Sequence, residues 1–231
     1  MSITLKTNFM SNDLTSSLCN SLEKSYDKTL REISDSIIPD LIDQNVFHSI
    51  PFLSSIISIF RIGNSIKEIH HVKKIAKFLL HIDEMPKEEI LKYKHILMKD
   101  EEKRMKEIEY LIILLDRYIE EEKAELLSKL YLAFLDNKIN WSKFKSLSVA
   151  LDSICLDDLD VLREWKHSSY ASGGENTSSV ARLVSSGLMI EEIPMPKFVD
   201  EYGGISVKTP SFREYTQTYE GSLFIDCVDN Y

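Results

Sequence analysis

Hydrophobic positions along most of the chain recur with the period of an α-helix. Apolar residues in 101–135 return every three to four positions, which predicts one long helix. Pro86 is suited to the first turn of a preceding helix, and Asn140 is suited to cap a following one. The chain contains only 7 glycines and 6 prolines, too few for a turn-rich sheet protein. The pattern therefore predicts a mostly α protein.

The pattern changes after the stretch "HSSYASGGENTSS", which has the serine and glycine content of a linker. A short helix that Gly187 would end is followed by "LMIEEIP" and "FREYTQT", which alternate like two strands. A last helix closes the chain. We predict a multi-helix body in residues 1–167, a linker or loop in 168–177 and a small winged-helix-like α+β domain in 178–231.

The segment 46–82 joins an apolar half to a basic half. The longest uncharged run, 44–60, falls short of the roughly 20 apolar residues that span a membrane and contains Pro51. At about 100° per residue, the apolar residues after Ile62 fall on one arc of a helix. The opposite arc holds Lys67, His70, His71, Lys74 and Lys77, and Lys73 lies near the border. This arrangement predicts a basic amphipathic helix.

Two interpretations of this helix remain open. It is either a core helix whose lysines are merely solvated, or a surface that contacts anionic lipid, where each lysine or arginine contributes about 1 kcal/mol. The run 44–60 is correspondingly either core or membrane-inserting. The candidate lipid-binding residues are Arg61, Lys67, His70, His71, Lys73, Lys74 and Lys77.

Charge and cysteine content limit the classes of partner that the chain is expected to bind. The formal net charge of −9 opposes nonspecific binding to nucleic acid. Acidic residues exceed basic ones after residue 171, and the helix before the predicted wing carries only Arg182, so we expect this domain to bind protein rather than DNA. Three distant cysteines suggest neither disulfides nor a zinc site. A cytoplasmic protein without a secretion signal is expected.

Sequence patterns of catalysis are absent. The chain has no GxxxxGK[ST], GxGxxG or GxSxG motif, and no HExxH. Adjacent rings at His70 and His71 would diverge by about 100° on a helix, which does not suit a shared metal. We expect no enzyme activity, cofactor or metal.

Two stretches carry a family resemblance. "RLVSSGLM" and "YTQTYEGSLF" are similar to winged-helix endings of the form R-L-x-x-x-G-L followed by T-x-x-G-x-x-F; the matching residues are Arg182, Leu183, Gly187, Leu188, Thr218, Gly221 and Phe224. "IPFLSSIISIFRIGNSI", "LLDRYIEEEKAELLSKLYLAFLDNKINWSKFKSLS" and "DLDVLREW" resemble prokaryotic abortive-infection alpha-type helical proteins. That resemblance implies a membrane-acting partner in antiviral systems, some of which use Argonaute proteins.

The leading hypothesis is a non-enzymatic prokaryotic antiviral-defence effector, cytoplasmic and peripheral to the inner face of the cell membrane when active. It would bind anionic membrane through the basic helix under the control of a protein partner, an Argonaute-type or other defence sensor. The alternative is a soluble protein-binding adaptor or winged-helix regulator without membrane activity. Direct nucleic-acid binding is not expected in either case.

Overall fold

The computed structural model describes residues 16–21, 27–35, 50–60, 65–83, 86–164, 177–192, 197–201, 204–208 and 214–231. They are mostly helical, with short antiparallel strand pairs, which confirms the predicted mostly α class. The chain forms two compact units, Met1–Lys138 and Ile139–Tyr231.

The N-terminal unit is a bundle of helices around one central helix. Its elements are α1 Asp27–Asp35, α2 Pro51–Phe60, α3 Ile66–Asp83, α4 Lys87–Met98, α5 Glu101–Arg117 and α6 Lys123–Leu135, and residues 16–21 are also helical. Helix α3 packs against α1, α2, α5 and α6. Most of its side chains between Ile69 and Ile82 are therefore buried.

The predicted single helix over 101–135 is wrong, because α5 and α6 are separate helices. Tyr118 leaves the helical conformation at φ −63° and ψ 130°, and its side chain is only 2% exposed. We name residues 116–122 the corner; they comprise the last two residues of α5 and the connection to α6. No glycine or proline marks the corner in the sequence, so tertiary packing rather than local propensity ends α5.

Side-chain hydrogen bonds fix several helix starts. Ser65 and Glu68 form a capping box at α3, in which the Ser65 N–H donates to Glu68 Oε2 at 3.0 Å. The Asp100 carboxylate accepts from the Lys103 N–H at the start of α5. Ser21 supplies a comparable bond from outside the helix, since its Oγ accepts from the Phe52 N–H of α2 at 2.9 Å.

An ion pair lies inside the N-terminal unit. Arg104 contacts Glu107, whose side chain is 2% exposed, and the Arg104 guanidinium lies 5.3 Å from the Phe134 ring centroid. Burial raises the pKa of Glu107, and Arg104 opposes that rise. Such a pair adds little net stability, but loss of either member leaves an uncompensated charge.

The C-terminal unit consists of helices followed by two antiparallel strand pairs and a last helix. Its elements are α7 Trp141–Ser153, α8 Asp158–Glu164, α9 Thr177–Ser185, β1 Met189–Glu192, β2 Lys197–Glu201, β3 Gly204–Lys208, β4 Glu214–Gln217 and α10 Tyr219–Asn230. Strand β1 pairs antiparallel with β4, from Met189 opposite Gln217 to Glu192 opposite Glu214. Strand β2 pairs antiparallel with β3. Strands β1 and β4 thus lie where the sequence alternation predicted them, whereas β2 and β3 were not predicted as strands.

The motif residues of this unit make structural contacts around the start of β1. Gly187 has a φ of 78°, which favours glycine, and directs the chain from α9 into β1. The Thr218 hydroxyl donates to the Leu188 carbonyl at 3.0 Å and accepts from the Gly221 N–H at 3.0 Å. A Cβ atom at Gly221 would lie 2.1 Å from the Leu188 carbonyl oxygen, so only glycine fits there.

The predicted domain boundary differs from the observed division. The predicted linker, 168–177, lies outside the described residues except for Thr177. The compact units divide between Lys138 and Ile139, which groups α7 and α8 with the C-terminal unit. Packing explains this grouping, because α8 contacts both α9 and α10.

We expect the Arg104–Glu107 pair to show strong coupling in a double-mutant cycle. Glu107→Leu or Arg104→Met alone should destabilise the fold by about 3–5 kcal/mol, because each leaves one buried charge unpaired. The double variant should recover most of that loss. Urea unfolding measures each free energy.

Glu125→Gln supplies the control for this cycle. Glu125 pairs with Lys129 at 3.6 Å on a half-exposed helix surface, so its loss should cost less than about 0.5 kcal/mol. Additive effects of the Arg104 and Glu107 substitutions would contradict the interpretation.

Candidate functional site

The predicted lipid-binding residues lie on α3, apart from Arg61, which is outside the described residues. The structure brings several of them together, but against the corner rather than toward solvent. Among the six that are described, only Lys67 has a side chain more than half exposed, at 80%. Its Nζ lies 3.8 Å from Asp116 Oδ2.

Lys74 is buried and bonded to the end of α5. Its relative exposure is 2%, and its Nζ donates to the carbonyl oxygens of Asp116 at 3.1 Å and Tyr118 at 2.5 Å. Burial lowers the pKa of Lys74, and the nearby carboxylates of Asp116 and Glu121 oppose this. The ammonium group therefore satisfies carbonyls that the end of a helix leaves without donors, and its charge complements the helix dipole.

His71 and Lys73 are also buried, with relative exposures of 7% and 9%. Burial lowers the pKa of His71, and Asp116 opposes that shift. Its Nδ1 lies 3.8 Å from Asp116 Oδ1. The prediction of a solvent-facing basic arc is thus wrong for His71, Lys73 and Lys74, because a helix pattern does not reveal what packs opposite it and long lysine stems bury readily.

His70 and Lys77 occupy the border between α3 and the corner. His70 Nδ1 lies 2.9 Å from Glu121 Oε1, and its Nε2 lies 3.1 Å from the Ile119 carbonyl oxygen. Lys77 Nζ lies 3.4 Å from both Glu121 Oε2 and Glu122 Oε1. The carboxylates of the corner therefore neutralise much of the basic character of α3.

The apolar run before α3 packs into the N-terminal unit over its described part. Phe52, Leu53 and Ile56 are 3%, 0% and 0% exposed. Of the two interpretations left open by the sequence, core packing describes these residues; positions 44–49 lie outside the described residues. No helix in the described part of the chain has the length and apolarity needed to cross a membrane.

Three exposed isoleucines lie at the start of α3, near the end of α5 and in the corner. Ile66, Ile113 and Ile119 are 80%, 55% and 87% exposed, and we name them the isoleucine cluster. Ile66 precedes His70 by one helical turn, and the Ile119 carbonyl contacts His70. Ile113 lines a groove of about 450 Å³ that is bordered by Ser65, Lys67, Glu68, His71, Asp116 and Arg117. The groove carries both signs of charge above an apolar floor.

Helix α4 presents a surface that the sequence analysis missed. Leu91 and Met98 are 60% and 48% exposed, and they lie one above the other at a spacing of seven residues. His95 lies between them and is exposed. Lys94 flanks this stripe on one side, while Lys92 and Lys99 flank it on the other, within an arc of about 160°. We name these six residues the α4 face.

The α4 face can be recognised in the sequence as a locally basic stretch, although the net charge of the whole chain is negative. Residues 90–99, "ILKYKHILMK", contain three lysines, one histidine and no acidic residue. Glu88 lies on the same side in the first turn, and Asp136 pairs with Lys92, so the cationic character is strongest in the second half of α4. Exposed leucine and methionine beside lysine are typical of an interaction surface.

The C-terminal unit uses the one cation of α9 internally. The Arg182 guanidinium donates to both carboxylate oxygens of Asp158, at 2.7 and 2.6 Å, and the Asp158 side chain is fully buried. Burial raises the pKa of Asp158, and hydrogen bonds from Arg182 and the Cys155 N–H more than offset that rise. This bidentate ion pair stabilises the packing of α8 against α9. It also engages the Arg182 guanidinium within the unit.

Comparison of the chain with protein-family models, curated proteins and solved structures finds no match. Within the described residues, no group of three or more histidine, cysteine, aspartate or glutamate side chains is placed to hold a metal ion.

We expect Lys74→Met to destabilise the N-terminal unit by about 1–3 kcal/mol, because it leaves the Asp116 and Tyr118 carbonyls without their donor. Lys67→Met is the matched control on the same helix and should change the free energy of unfolding by less than about 0.5 kcal/mol. Urea unfolding distinguishes the two. Equal effects would mean that Lys74 does not cap α5.

His71 should make the protein less stable in mild acid. Its pKa is lowered by burial from the ordinary value of 6.5, so the unfolded chain takes up the proton first as the pH falls. The contribution of the neutral His71 ring to the free energy of unfolding is fully present above about pH 6.5 and declines below that pH. We expect the stability of His71→Gln, measured relative to wild type by urea unfolding, to improve as the pH falls from about 8 to about 5.

His95→Gln replaces an exposed histidine on α4 and is the control variant for this comparison. A pH-independent difference for His71→Gln would contradict the assignment of His71 as a buried neutral ring.

Proposed function

We propose that this chain is a non-enzymatic prokaryotic antiviral-defence effector that docks reversibly on anionic membrane through the α4 face. The observation that carries the proposal is the exposed Leu91 and Met98 stripe between lysines, in a stretch without acidic residues. The resemblance of the chain to abortive-infection alpha-type proteins supports the defence role. We therefore place the docking surface on α4 and not on α3, because the cations of α3 pack against the corner.

The proposed geometry is that of a helix lying in the plane of a membrane surface. Leu91 and Met98 would enter the boundary of the acyl chains, while the flanking lysines extend toward lipid phosphates. Each lysine near an anionic surface contributes about 1 kcal/mol, and the pairing of Lys92 with Asp136 reduces its share. Two apolar side chains and a few cations give weak, reversible docking rather than insertion.

Control by a protein partner belongs to the same proposal. The order of α7, α8 and α9 followed by the two strand pairs supports a winged-helix-like C-terminal domain. Because Asp158 occupies Arg182, α9 lacks a free cation for phosphate, which favours a protein partner over DNA. A defence sensor, of Argonaute type or another, fits this role, and the protein would be cytoplasmic until it reaches the inner face of the membrane.

A soluble protein-binding adaptor without membrane activity is the second candidate. Ile113 favours it, since an exposed apolar side chain that lines a groove with both charge signs is typical of a protein interface. This candidate predicts no affinity for vesicles of any composition.

Flotation with vesicles tests the membrane proposal. Wild type should float with vesicles of phosphatidylcholine and phosphatidylserine, and not with phosphatidylcholine alone. Lys94→Glu with Lys99→Glu should weaken flotation about tenfold or more, because two attractions become repulsions. Lys92 is left in place so that its pair with Asp136 stays intact.

The matched control combines Lys67→Glu and Lys145→Glu, which change the net charge equally at exposed positions outside α4. It should float nearly as well as wild type. An equal loss in both double variants would reject the α4 face as the docking site. Absence of wild-type flotation at low salt would reject membrane docking and favour the soluble adaptor.

A further inference from the structure

His70 contacts the corner through both nitrogens of its ring. Nδ1 lies 2.9 Å from Glu121 Oε1, and Nε2 lies 3.1 Å from the Ile119 carbonyl oxygen. Both partners are hydrogen-bond acceptors. A neutral imidazole carries one N–H and can donate to only one of them, whereas an imidazolium donates to both. Only a ring with hydrogen on both nitrogens can therefore donate to both acceptors at once.

The surroundings of His70 hold charges of both signs. On α3 the neighbouring basic groups are Lys67, His71, Lys74 and Lys77, and the opposing carboxylates of the corner are Asp116, Glu121 and Glu122. A backbone hydrogen bond lowers the pKa of Glu122, partial burial opposes this, and Lys77 and His70 contribute further lowering. Among the side chains of proteins, histidine is the one whose charge ordinarily changes near neutral pH.

We propose that His70 is a proton-dependent clasp that fastens α3 to the corner. The protonated ring holds the Glu121 carboxylate and the Ile119 carbonyl together. Loss of the proton removes one of these two bonds and leaves the corner attached through Lys74 and Lys77. The device goes beyond the proposed docking function and does not depend on it.

The clasp controls the order of the segment that carries Ile119. That side chain is 87% exposed and belongs to the isoleucine cluster. Release of its carbonyl group loosens the backbone between Tyr118, which bonds to Leu114 at 3.2 Å, and Ala124, which bonds to Glu121 at 3.0 Å. A fall in pH therefore orders this end of the cluster, and a rise in pH loosens it.

Amide hydrogen exchange tests the clasp in the full chain. The measured quantity is the protection factor of the Tyr118, Lys123 and Ala124 amides, which corrects for base-catalysed exchange. Between about pH 5.5 and about pH 8, wild-type protection should fall about 3- to 10-fold, the size expected for one hydrogen bond. His70→Gln should show low protection with little pH dependence, because the amide side chain does not titrate in this range.

Two further measurements keep the test decisive. His95→Gln removes an exposed histidine of α4 and should keep the wild-type pH dependence at the corner. Ring ¹⁵N chemical shifts of wild type should show His70 with hydrogen on both nitrogens at the acidic end of the range. A neutral His70 ring throughout the range, or the same pH dependence in His70→Gln, would overturn the proposal.

Discussion

The ammonium group of Lys74 lies at the end of α5, where it donates to the carbonyl oxygens of Asp116 and Tyr118. A helix end without such donors leaves carbonyl groups unsatisfied, and burial makes that costly. This contact joins α3 to the end of α5 at the point where the chain turns toward α6. Lys74 thus provides inside the fold a bond that water or a local capping motif usually provides.

This contact explains why the basic residues of α3 belong to the interior. Lys77 and His70 also contact the corner, at Glu121 and Glu122. The carboxylates of the corner therefore compensate the positive charge of α3. The balance differs on α4, where lysines flank exposed apolar side chains and no acidic residue lies between Ile90 and Lys99. Charge of one sign therefore serves packing on α3 and flanks exposed apolar side chains on α4.

The sequence predicted much of the fold because its signals are local. Pro51 marks the start of α2, Asn140 caps α7, and Gly187 adopts the positive φ that ends the α9 turn. The break at Tyr118 had no such signal, since a distant lysine rather than a turn residue stabilises it. The same limitation affected the candidate site. A helical projection of α3 separates polar from apolar residues. It does not show that the ammonium group of Lys74 contacts the end of α5.

The most direct test of this account is the reactivity of individual lysines toward an amine acetylating reagent, read by peptide mass spectrometry on the folded protein. Lys74, 2% exposed and bonded to two carbonyls, should remain unmodified while Lys67 and Lys99 react readily. Unfolding in urea should remove the difference. Acetylation of folded Lys74 at the rate of Lys67 would contradict the account, because the basic side of α3 would then face solvent.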